Sequence, residues 1–281
     1  MNTSPDLTPC RLCETAFSTH KARCPHCQAY RAHGSAVKRA LPGAEGMVDE
    51  TVLLSEVTDA EIERIYTGPW DKSFGGGLVL TSVVLLGGAP GAGKSTMALQ
   101  IADNVPESKL YKGIKNRDVL YVGAEEIAPE IKYRASRLKL KNIDRIRVLP
   151  MGSIFSLLDI IMSRNPLATV IDSLPGFTED PDEGVKLLKM LKPYAGQLKS
   201  PILVIDHINK GGDFAGFIKL QHGVDATMLL TVDEDDGIRT LSPQKNRFGS
   251  TVDCDVNLRM TAEGLVLYED FEDEDGEYED E

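Results

Sequence analysis

Residues 88–95 combine glycines, a lysine and a hydroxyl at the spacing of a phosphate-binding loop. They are Gly-Ala-Pro-Gly-Ala-Gly-Lys-Ser, a full match to the pattern G-x-x-x-x-G-K-[ST]. In this pattern the glycines let backbone N–H groups turn toward the phosphates, Lys94 pairs with the β- and γ-phosphates, and Ser95 coordinates Mg²⁺. An apolar run at 82–86 and a helical pattern at 95–103 supply the expected strand–loop–helix context. The sequence therefore predicts a site for ATP with Mg²⁺.

Polar residues follow three other apolar runs, where buried strands are expected to end. Asp172 ends one run, and a carboxylate at this place in phosphate-loop folds holds Mg²⁺; a solvent-facing strand end is the alternative. Glu125 and Glu126 end another run; one of them is suited to activate the attacking water, but spacing does not decide which. Asp206 or His207, after the third run, is either a γ-phosphate sensor or part of a capped strand end. The predicted ATP and Mg²⁺ contacts are Gly88, Gly91, Gly93, Lys94, Ser95, Thr96 and Asp172.

Four cysteines near the start of the chain have the spacing of a zinc ribbon. Cys10 and Cys13 form one C-x-x-C pair, and Cys24 and Cys27 form a second pair after ten residues. Four thiolates can close a tetrahedral site around Zn²⁺, which stabilises a segment too small to bury a core of its own. Two disulfides are the alternative, and the absence of a secretory signal disfavours them. We therefore predict a zinc site in which all four cysteines are ligands.

The negative charge of the chain is concentrated in its last residues. The formal net charge is −12, but residues 269–281 contain ten carboxylates and no basic residue, so the residues before them carry only −2. A segment of this composition cannot bury enough apolar surface to fold, and we expect it to be disordered. No apolar run reaches the roughly 20 residues of a membrane helix, and no hydrophobic signal region begins the chain. We expect a cytoplasmic protein without membrane contact.

Alternating strand and helix patterns in the middle of the chain predict an α/β fold with a mostly parallel sheet. After residue 225 the pattern changes to strands joined by turns, which predicts an antiparallel extension on one sheet edge. The strands expected there are 226–232, 239–244, 252–260 and 265–268. The predicted segments are a zinc module at 1–34, a linker at 35–60, an ATPase core at 61–268 and an acidic tail at 269–281.

A series of further motifs follows a fixed order along the chain. The most specific is the pentapeptide Lys-Asn-Arg-Phe-Gly at 245–249. The others lie at 23–27, 74–79, 121–126, 131–138, 207–210 and 214–216. Together with the phosphate loop and the cysteine pairs, these motifs resemble the bacterial DNA-repair ATPases of the RadA family, also called Sms, which are RecA-like proteins. The resemblance covers the chain from Cys10 to about Tyr268.

The resemblance implies roles for residues that spacing alone leaves open. It implies that Glu125 is the catalytic base and that Lys245 and Arg247 couple ATP turnover to DNA movement between adjacent subunits. Electrostatics is consistent with this role, because a cation from one subunit can stabilise the γ-phosphate charge of ATP bound to its neighbour. From these residues alone, a basic pair on the surface is the alternative. An action between subunits requires a homo-oligomer, which the resemblance implies is a hexameric ring. The family normally continues into a Lon-protease-like domain that this sequence lacks, and the size fits a phage-encoded form.

The predicted function is an ATP-driven DNA motor, a helicase or translocase acting in recombination, repair or replication. Single-stranded or branched DNA is the expected substrate, with Lys210 and Lys219 beside a glycine-rich stretch as candidate backbone contacts. A replicative helicase of the DnaB/RecA-like class is one alternative, and a non-motor ATPase switch that controls protein association is another. The acidic tail either occupies the chain's own DNA channel, docks on a replication or recombination protein, or serves solubility.

Overall fold

The computed structural model describes residues 7–9, 16–18, 55, 62–150, 154–208 and 214–268 of the chain. The chain divides into two compact units, Met1–Glu61 and Ile62–Glu281. In the first unit, β1 (Leu7–Pro9) pairs with β2 (Ala16–Ser18) in antiparallel orientation. The four cysteines, Lys210, the acidic tail and the linker apart from residue 55 lie outside the described residues. What the sequence predicts for them stays a prediction.

Nine strands of the second unit form one sheet, and two short strands, β3 (Arg64–Ile65) and β4 (Leu78–Val79), form a separate antiparallel pair. The nine are β5 (Val83–Gly88), β6 (Val119–Gly123), β7 (Ile146–Pro150), β8 (Thr169–Asp172), β9 (Ile202–Ile205), β10 (Ala226–Val232), β11 (Arg239–Asn246), β12 (Val256–Thr261) and β13 (Gly264–Leu267). Their order is β13-β12-β11-β10-β5-β9-β8-β6-β7. All pairs from β10 to β7 are parallel, and those from β13 to β10 are antiparallel. This topology confirms the predicted fold class for the core, with its antiparallel extension.

Helices cover both faces of the parallel part of the sheet. They are α1 (Lys94–Asn104), α2 (Ala128–Arg137), α3 (Ile154–Arg164), α4 (Pro181–Leu198) and α5 (Phe214–Leu220). Because successive strand residues face opposite sides, Val84 and Leu86 of β5 join the core with α1, whereas Val83 and Leu85 join the core with α3 and α4. A strand buried on both faces is made of apolar residues, which explains the continuous apolar run at 83–86. Polar side chains are therefore left to the strand ends.

One predicted strand begins in the wrong place. We expected a strand at 252–260, but β12 begins at Val256. Val252 is 70% exposed, and Asp253 adopts a left-handed backbone with φ of 57° that no strand residue has. The apolar residue at 252 therefore belongs to the loop that precedes the strand. Across the described ranges, no helix combines the length and apolarity that crossing a bilayer requires.

Candidate nucleotide-binding site

The phosphate loop joins the end of β5 to the first turn of α1, as the motif predicts. Gly93, the residue before α1, has a left-handed backbone with φ of 107°. A side chain there would also meet the Cε atom of Met260, 2.7 Å from the position of a Cβ. Gly91 has φ of 81°. Only glycine takes these conformations without strain, so the loop backbone can turn its N–H groups inward at the amino end of α1.

Lys94 is buried in the loop, and its ammonium group is held by main-chain carbonyls. Its Nζ donates to the carbonyl oxygens of Gly88 at 2.8 Å and Ala89 at 2.9 Å. Burial lowers the pKa of Lys94. Three nearby carboxylates oppose that shift; they belong to Asp172, Asp206 and Glu125. A cation in this place is ready to exchange carbonyl oxygens for phosphate oxygens.

Asp172 ends β8 beside the loop, and both of its carboxylate oxygens have a hydroxyl donor. Ser95 Oγ donates to Oδ1 at 3.1 Å, and the Tyr121 hydroxyl donates to Oδ2 at 2.5 Å. Tyr121 is fully buried. Its burial, and to a smaller extent the nearby charge of Asp172, raise the pKa of the Tyr121 hydroxyl well above the usual value, so the hydroxyl remains a donor. A hydroxyl next to a carboxylate fits Mg²⁺, which takes one or two protein oxygens with phosphates and water.

Glu125 lies at the end of β6 within reach of two groups from neighbouring strands. Ser173, directly after β8, donates its hydroxyl to Glu125 Oε1. His207, directly after Asp206 at the end of β9, has its Nε2 atom 3.5 Å from the same oxygen. The Glu125 side chain is 48% exposed, so water can reach it. These residues, together with Asp172 and Lys94, meet at the carboxyl edge of the sheet.

Glu126 faces a different partner from its neighbour. Its carboxylate forms an ion pair with Arg134 of α2. The two residues line a groove on this helix together with Pro129, Glu130 and Tyr133. Glu126 is therefore neutralised on α2, and only Glu125 combines a water-accessible carboxylate with contacts to Ser173 and His207.

Two other predicted residues are buried at the same edge. Thr96 lies in the first turn of α1, immediately after Ser95, and is buried. Asp206 is also buried, and its backbone N–H donates to the Leu86 carbonyl at 3.0 Å. The charge of Asp206 acts on Lys94. Its burial leaves His207 as the more accessible of the two sensor candidates.

Lys245 and Arg247 lie near the amino ends of the parallel strands, whereas the phosphate loop lies at their carboxyl ends. Asn246 is level with Ala226 of β10, which is level with Val84 of β5. Val84 precedes Gly88 by four residues, which is about 13 Å along a strand. Within one chain, the structure therefore does not bring these two cations to the site that holds Lys94.

The pentapeptide 245–249 packs against the glycine-rich segment 74–77, another of the motifs in the sequence. Arg64 Nη2 donates to the Phe248 carbonyl at 2.6 Å, and its Nη1 atom donates to the Phe74 carbonyl at 3.4 Å. The Asn246 side chain also donates to the Phe74 carbonyl, at 3.5 Å. Two motifs more than 160 residues apart in sequence thus form one surface.

Sequence reasoning missed the contacts that the antiparallel extension makes with the phosphate loop. Arg239 Nε, at the start of β11, donates to the Ala92 carbonyl at 3.1 Å. The Gln100 side chain of α1 donates to the Leu265 carbonyl at 3.0 Å and accepts from its N–H at 3.0 Å. No motif marks these residues, because their meeting depends on the register of β11 to β13.

Lys219, the candidate DNA contact among the described residues, does not lie in this site. Lys219 of α5 forms an ion pair with Asp182 at 2.7 Å, on the first turn of α4. Lys210 and the four cysteines are not among the described residues. Within the part of the chain that the structure describes, no cluster of three or more His, Cys, Asp or Glu side chains is suited to hold a metal ion.

A protein-family model and several known proteins match the part of the chain that contains this site. The model of the AAA domain family matches residues 58–183. The DNA repair protein RadA of Haemophilus influenzae is 31% identical over 278 residues, which cover 91% of this chain and 58% of that protein. RadA of Pseudomonas aeruginosa is 34% identical over 276 residues, again with 91% and 58% covered. The chain thus spans under two thirds of the length of these relatives.

A solved structure shares the fold. The crystal structure of a KaiC-like protein from the archaeon Pyrococcus horikoshii superposes with a TM-score of 0.59 at 18% identity. The match covers 74% of this chain and 99% of that one. At this identity the likeness concerns the fold alone.

Proposed function

We propose that this chain, a homologue of the bacterial DNA repair protein RadA with a RecA-like P-loop ATPase core, is an ATP-driven motor that moves along single-stranded or branched DNA. It acts in recombination, repair or replication in the cytoplasm. The observation that carries the proposal is the meeting of Lys94, Asp172, Glu125 and His207 at the carboxyl ends of four adjacent parallel strands. Open α/β sheets bind ligands at this edge.

Nucleotide binding begins with an exchange of partners at Lys94. Its ammonium now neutralises the dipoles of two loop carbonyls, at Gly88 and Ala89. The β- and γ-phosphates of ATP are stronger acceptors, because an anionic oxygen attracts the ammonium more strongly than a neutral carbonyl oxygen does. Phosphate binding also stabilises the ammonium form, against the effect of burial.

Ser95 and Asp172 are the residues that hold Mg²⁺ in this proposal. When bound, the ion would offset the negative charge that develops on the phosphates during transfer. Tyr121 fixes the plane of the Asp172 carboxylate through its hydrogen bond to Oδ2. The free lone pairs of Asp172 are thereby directed to the side of Ser95.

Glu125 acts as the general base in this proposal. It takes a proton from the attacking water as the water oxygen bonds to the γ-phosphorus and the bond to the β-phosphate oxygen breaks, which releases ADP. Ser173 orients the carboxylate by donating to Oε1. His207, near the same oxygen, is placed to detect whether a γ-phosphate is present and to relay that state to the chain after β9.

Lys245 and Arg247 act on the ATP of a neighbouring chain in this proposal. Their position at the far end of the parallel strands supports an action in trans, because they are remote from their own phosphate loop. A ring of identical subunits, expected as a hexamer, lets each far end meet the next nucleotide. The cations then stabilise γ-phosphate charge in the transition state.

DNA contacts in this proposal come from the segment after β9 that contains Lys210, with Lys219 as a second candidate. The ion pair of Lys219 with Asp182 is exposed, so a phosphate can compete for this ammonium.

A non-motor ATPase switch is the alternative function from another class. ATPase rates with and without single-stranded DNA, followed by strand displacement on forked duplex, test the motor. Hydrolysis without any response to DNA would favour the switch, and efficient fork unwinding would favour a replicative helicase.

A zinc ribbon at the start of the chain is part of the proposal. Cys10, Cys13, Cys24 and Cys27 have the spacing for a closed site with four thiolate ligands, which binds tightly. Metal analysis of the purified protein is expected to give about one zinc per chain. A disulfide among these cysteines in a reduced preparation would contradict the assignment.

The acidic tail is proposed to compete with DNA. Its ten carboxylates in residues 269–281 form a tethered polyanion that can occupy a cationic channel at high effective concentration. Truncation after Tyr268 should then raise affinity for single-stranded DNA, and the gain should shrink as salt screens the charges. An unchanged affinity at low salt would leave solubility or the docking of a partner protein.

A further inference from the structure

A buried carboxylate lies directly beneath the pentapeptide that contains Lys245 and Arg247. Asp225, the residue before β10, has a side chain that is only 6% exposed. Its Oδ2 accepts the backbone N–H of Val83 at 3.1 Å, at the start of the strand that ends in the phosphate loop. Its Oδ1 lies 2.6 Å from Nζ of Lys192 on α4. Both oxygens are therefore fixed, and the carboxylate cannot rotate freely.

The same carboxylate holds Arg247. Arg247 Nη1 lies 3.3 Å from Asp225 Oδ1, and the Arg247 backbone N–H donates to the Asp225 carbonyl at 3.0 Å. Lys245 is anchored nearby, because its Nζ donates to the carbonyls of Gln221 at 2.5 Å and Val224 at 2.8 Å. Asp225 thus anchors Arg247 to the core, and the turn just before Asp225 anchors Lys245.

The charged side chains around Asp225 have a net positive charge. Lys192, Lys245 and Arg247 surround the single carboxylate of Asp225, and burial, then Arg247 and Lys192, lower the pKa of Lys245. Arg247 is 53% exposed although one of its nitrogens is held. A guanidinium has donors on more than one edge, so the edge away from Asp225 can still bind a phosphate in bidentate fashion.

We propose that the Lys192–Asp225 pair positions Arg247, so that its guanidinium meets the γ-phosphate of a neighbouring subunit in one fixed orientation. This inference rests on the proposed function of Arg247. Lys192 directs Oδ1 of Asp225, Asp225 directs Arg247, and of these three residues Arg247 alone touches the nucleotide. A half-exposed arginine without this support would sample several rotamers, and a misplaced cation contributes little to transition-state stabilisation.

A purely structural role for Asp225 makes a different prediction. The residue also joins β10 to β5 through Val83, so its loss alone does not reveal a positioning role. If Asp225 acts through Arg247, its substitution should have no further effect once Arg247 is gone. If Asp225 only supports the core, the two effects should multiply.

The test is a double-mutant cycle on DNA-stimulated ATP hydrolysis in the full chain. Asp225→Asn keeps an acceptor for the Val83 N–H and removes the charge that holds Arg247. We expect kcat to fall about tenfold with the KM for ATP within about twofold of the wild type. In an Arg247→Ala background, Asp225→Asn should lower kcat by less than about twofold.

Asp118→Asn is the matched control. Asp118 also precedes a parallel strand at the same edge of the sheet, and its carboxylate lies 2.8 Å from Arg147 and 3.7 Å from Arg145. The substitution removes a carboxylate that also has two arginine partners but does not contact Arg247. We expect kcat to stay within about twofold of the wild type.

A second cycle covers the case in which Asn at position 225 prevents folding. Lys192 is on the helix surface side of the pair and 28% exposed, so Lys192→Gln should fold. It should lower kcat by about two- to fivefold, and not at all in the Arg247→Ala background. Effects that multiply in a cycle whose variants fold would overturn the inference and leave the proposed function intact. A wild-type chain that does not hydrolyse ATP would overturn the proposed function, and this inference with it.

Discussion

At the scale of single residues, two adjacent glutamates show how local contacts separate chemical roles. Glu125 and Glu126 both follow β6, and the sequence does not distinguish them. In the structure, Glu126 is neutralised by Arg134, whereas Glu125 meets Ser173 and His207 beside Asp172 and remains open to water. Glu125 lies beside the groups proposed to hold the nucleotide, whereas Glu126 pairs with a helix cation, and this difference supports Glu125 as the proposed base.

Glu125→Gln is expected to slow ATP hydrolysis at least about tenfold with nucleotide binding largely intact, because the amide cannot take a proton. Steady-state ATPase rates and the binding of a fluorescent nucleotide measure the two effects separately. Glu126→Gln is the matched control, and its loss of hydrolysis should be smaller. A larger loss in Glu126→Gln would reverse the assignment of the base.

Tyr121→Phe is expected to weaken the response to Mg²⁺ rather than the maximal rate. The substitution leaves Asp172 Oδ2 without its hydroxyl donor, so the carboxylate is less well oriented. We expect the Mg²⁺ concentration for half-maximal ATPase activity to rise about three- to tenfold.

Tyr111→Phe controls for the loss of a buried tyrosine hydroxyl elsewhere in the core. The Tyr111 hydroxyl donates to the Leu167 carbonyl at 2.7 Å, away from Asp172. Its Mg²⁺ titration should match that of the wild type. Identical titrations for Tyr121→Phe and the wild type would show that the tyrosine does not serve the metal site.

At the scale of elements, the sequence predicts the parallel part of the fold better than its antiparallel edge. The apolar run before residue 88, the motif and Asp172 at the end of β8 each follow from a local pattern, and parallel strands bring their carboxyl ends together. The contact of Arg239 with Ala92 depends instead on strand register. Register is set by packing across β10 to β13, which no local pattern records.

Asp225 shows the same limit at a single position. It lies between an irregular segment and a buried strand, and its sequence neighbours give no sign of a cation partner. Lys192 comes from α4 and Arg247 from beyond β11. A buried carboxylate among three distant elements becomes visible only when those elements have been packed together.

The extension β12–β13 is expected to stabilise the helix that starts at the phosphate loop. Gln100 of α1 forms two hydrogen bonds with the main chain of Leu265, and Gln100→Ala would leave both groups without that partner. The loss should be roughly 1–3 kcal/mol of unfolding free energy, measured by thermal or denaturant unfolding. Gln197→Ala, at an exposed position of α4, is the control and should change stability little. Equal stability of the two variants would contradict the proposed support of α1 by the extension.

At the scale of the whole molecule, the two halves of the proposed active site lie at opposite ends of the parallel strands. One end holds Lys94 and Glu125, and the other holds Lys245 and Arg247. A single chain therefore presents an incomplete site at each end. Only an assembly of several copies can join them, which makes oligomerisation a requirement of the proposed mechanism.

Mixing two variants with complementary defects tests this requirement. Lys94→Ala chains lack a working phosphate loop but keep Arg247, and Arg247→Ala chains have the reverse defect. Mixed assemblies should recover some ATPase activity, because interfaces form that pair an intact loop with an intact arginine. The absence of recovery, in assemblies shown by subunit labelling to be mixed, would place both residues in the same chain's site.

The most direct measurement of the central claim is the steady-state ATPase rate of the whole chain with and without single-stranded DNA. An ATP-driven DNA motor predicts Mg²⁺-dependent hydrolysis that single-stranded DNA stimulates several-fold, and that Lys94→Ala abolishes in both conditions. Stimulation should fall with rising salt, because it depends on phosphate contacts. A rate that is the same with and without DNA at low salt, in a preparation that hydrolyses ATP, would contradict the claim.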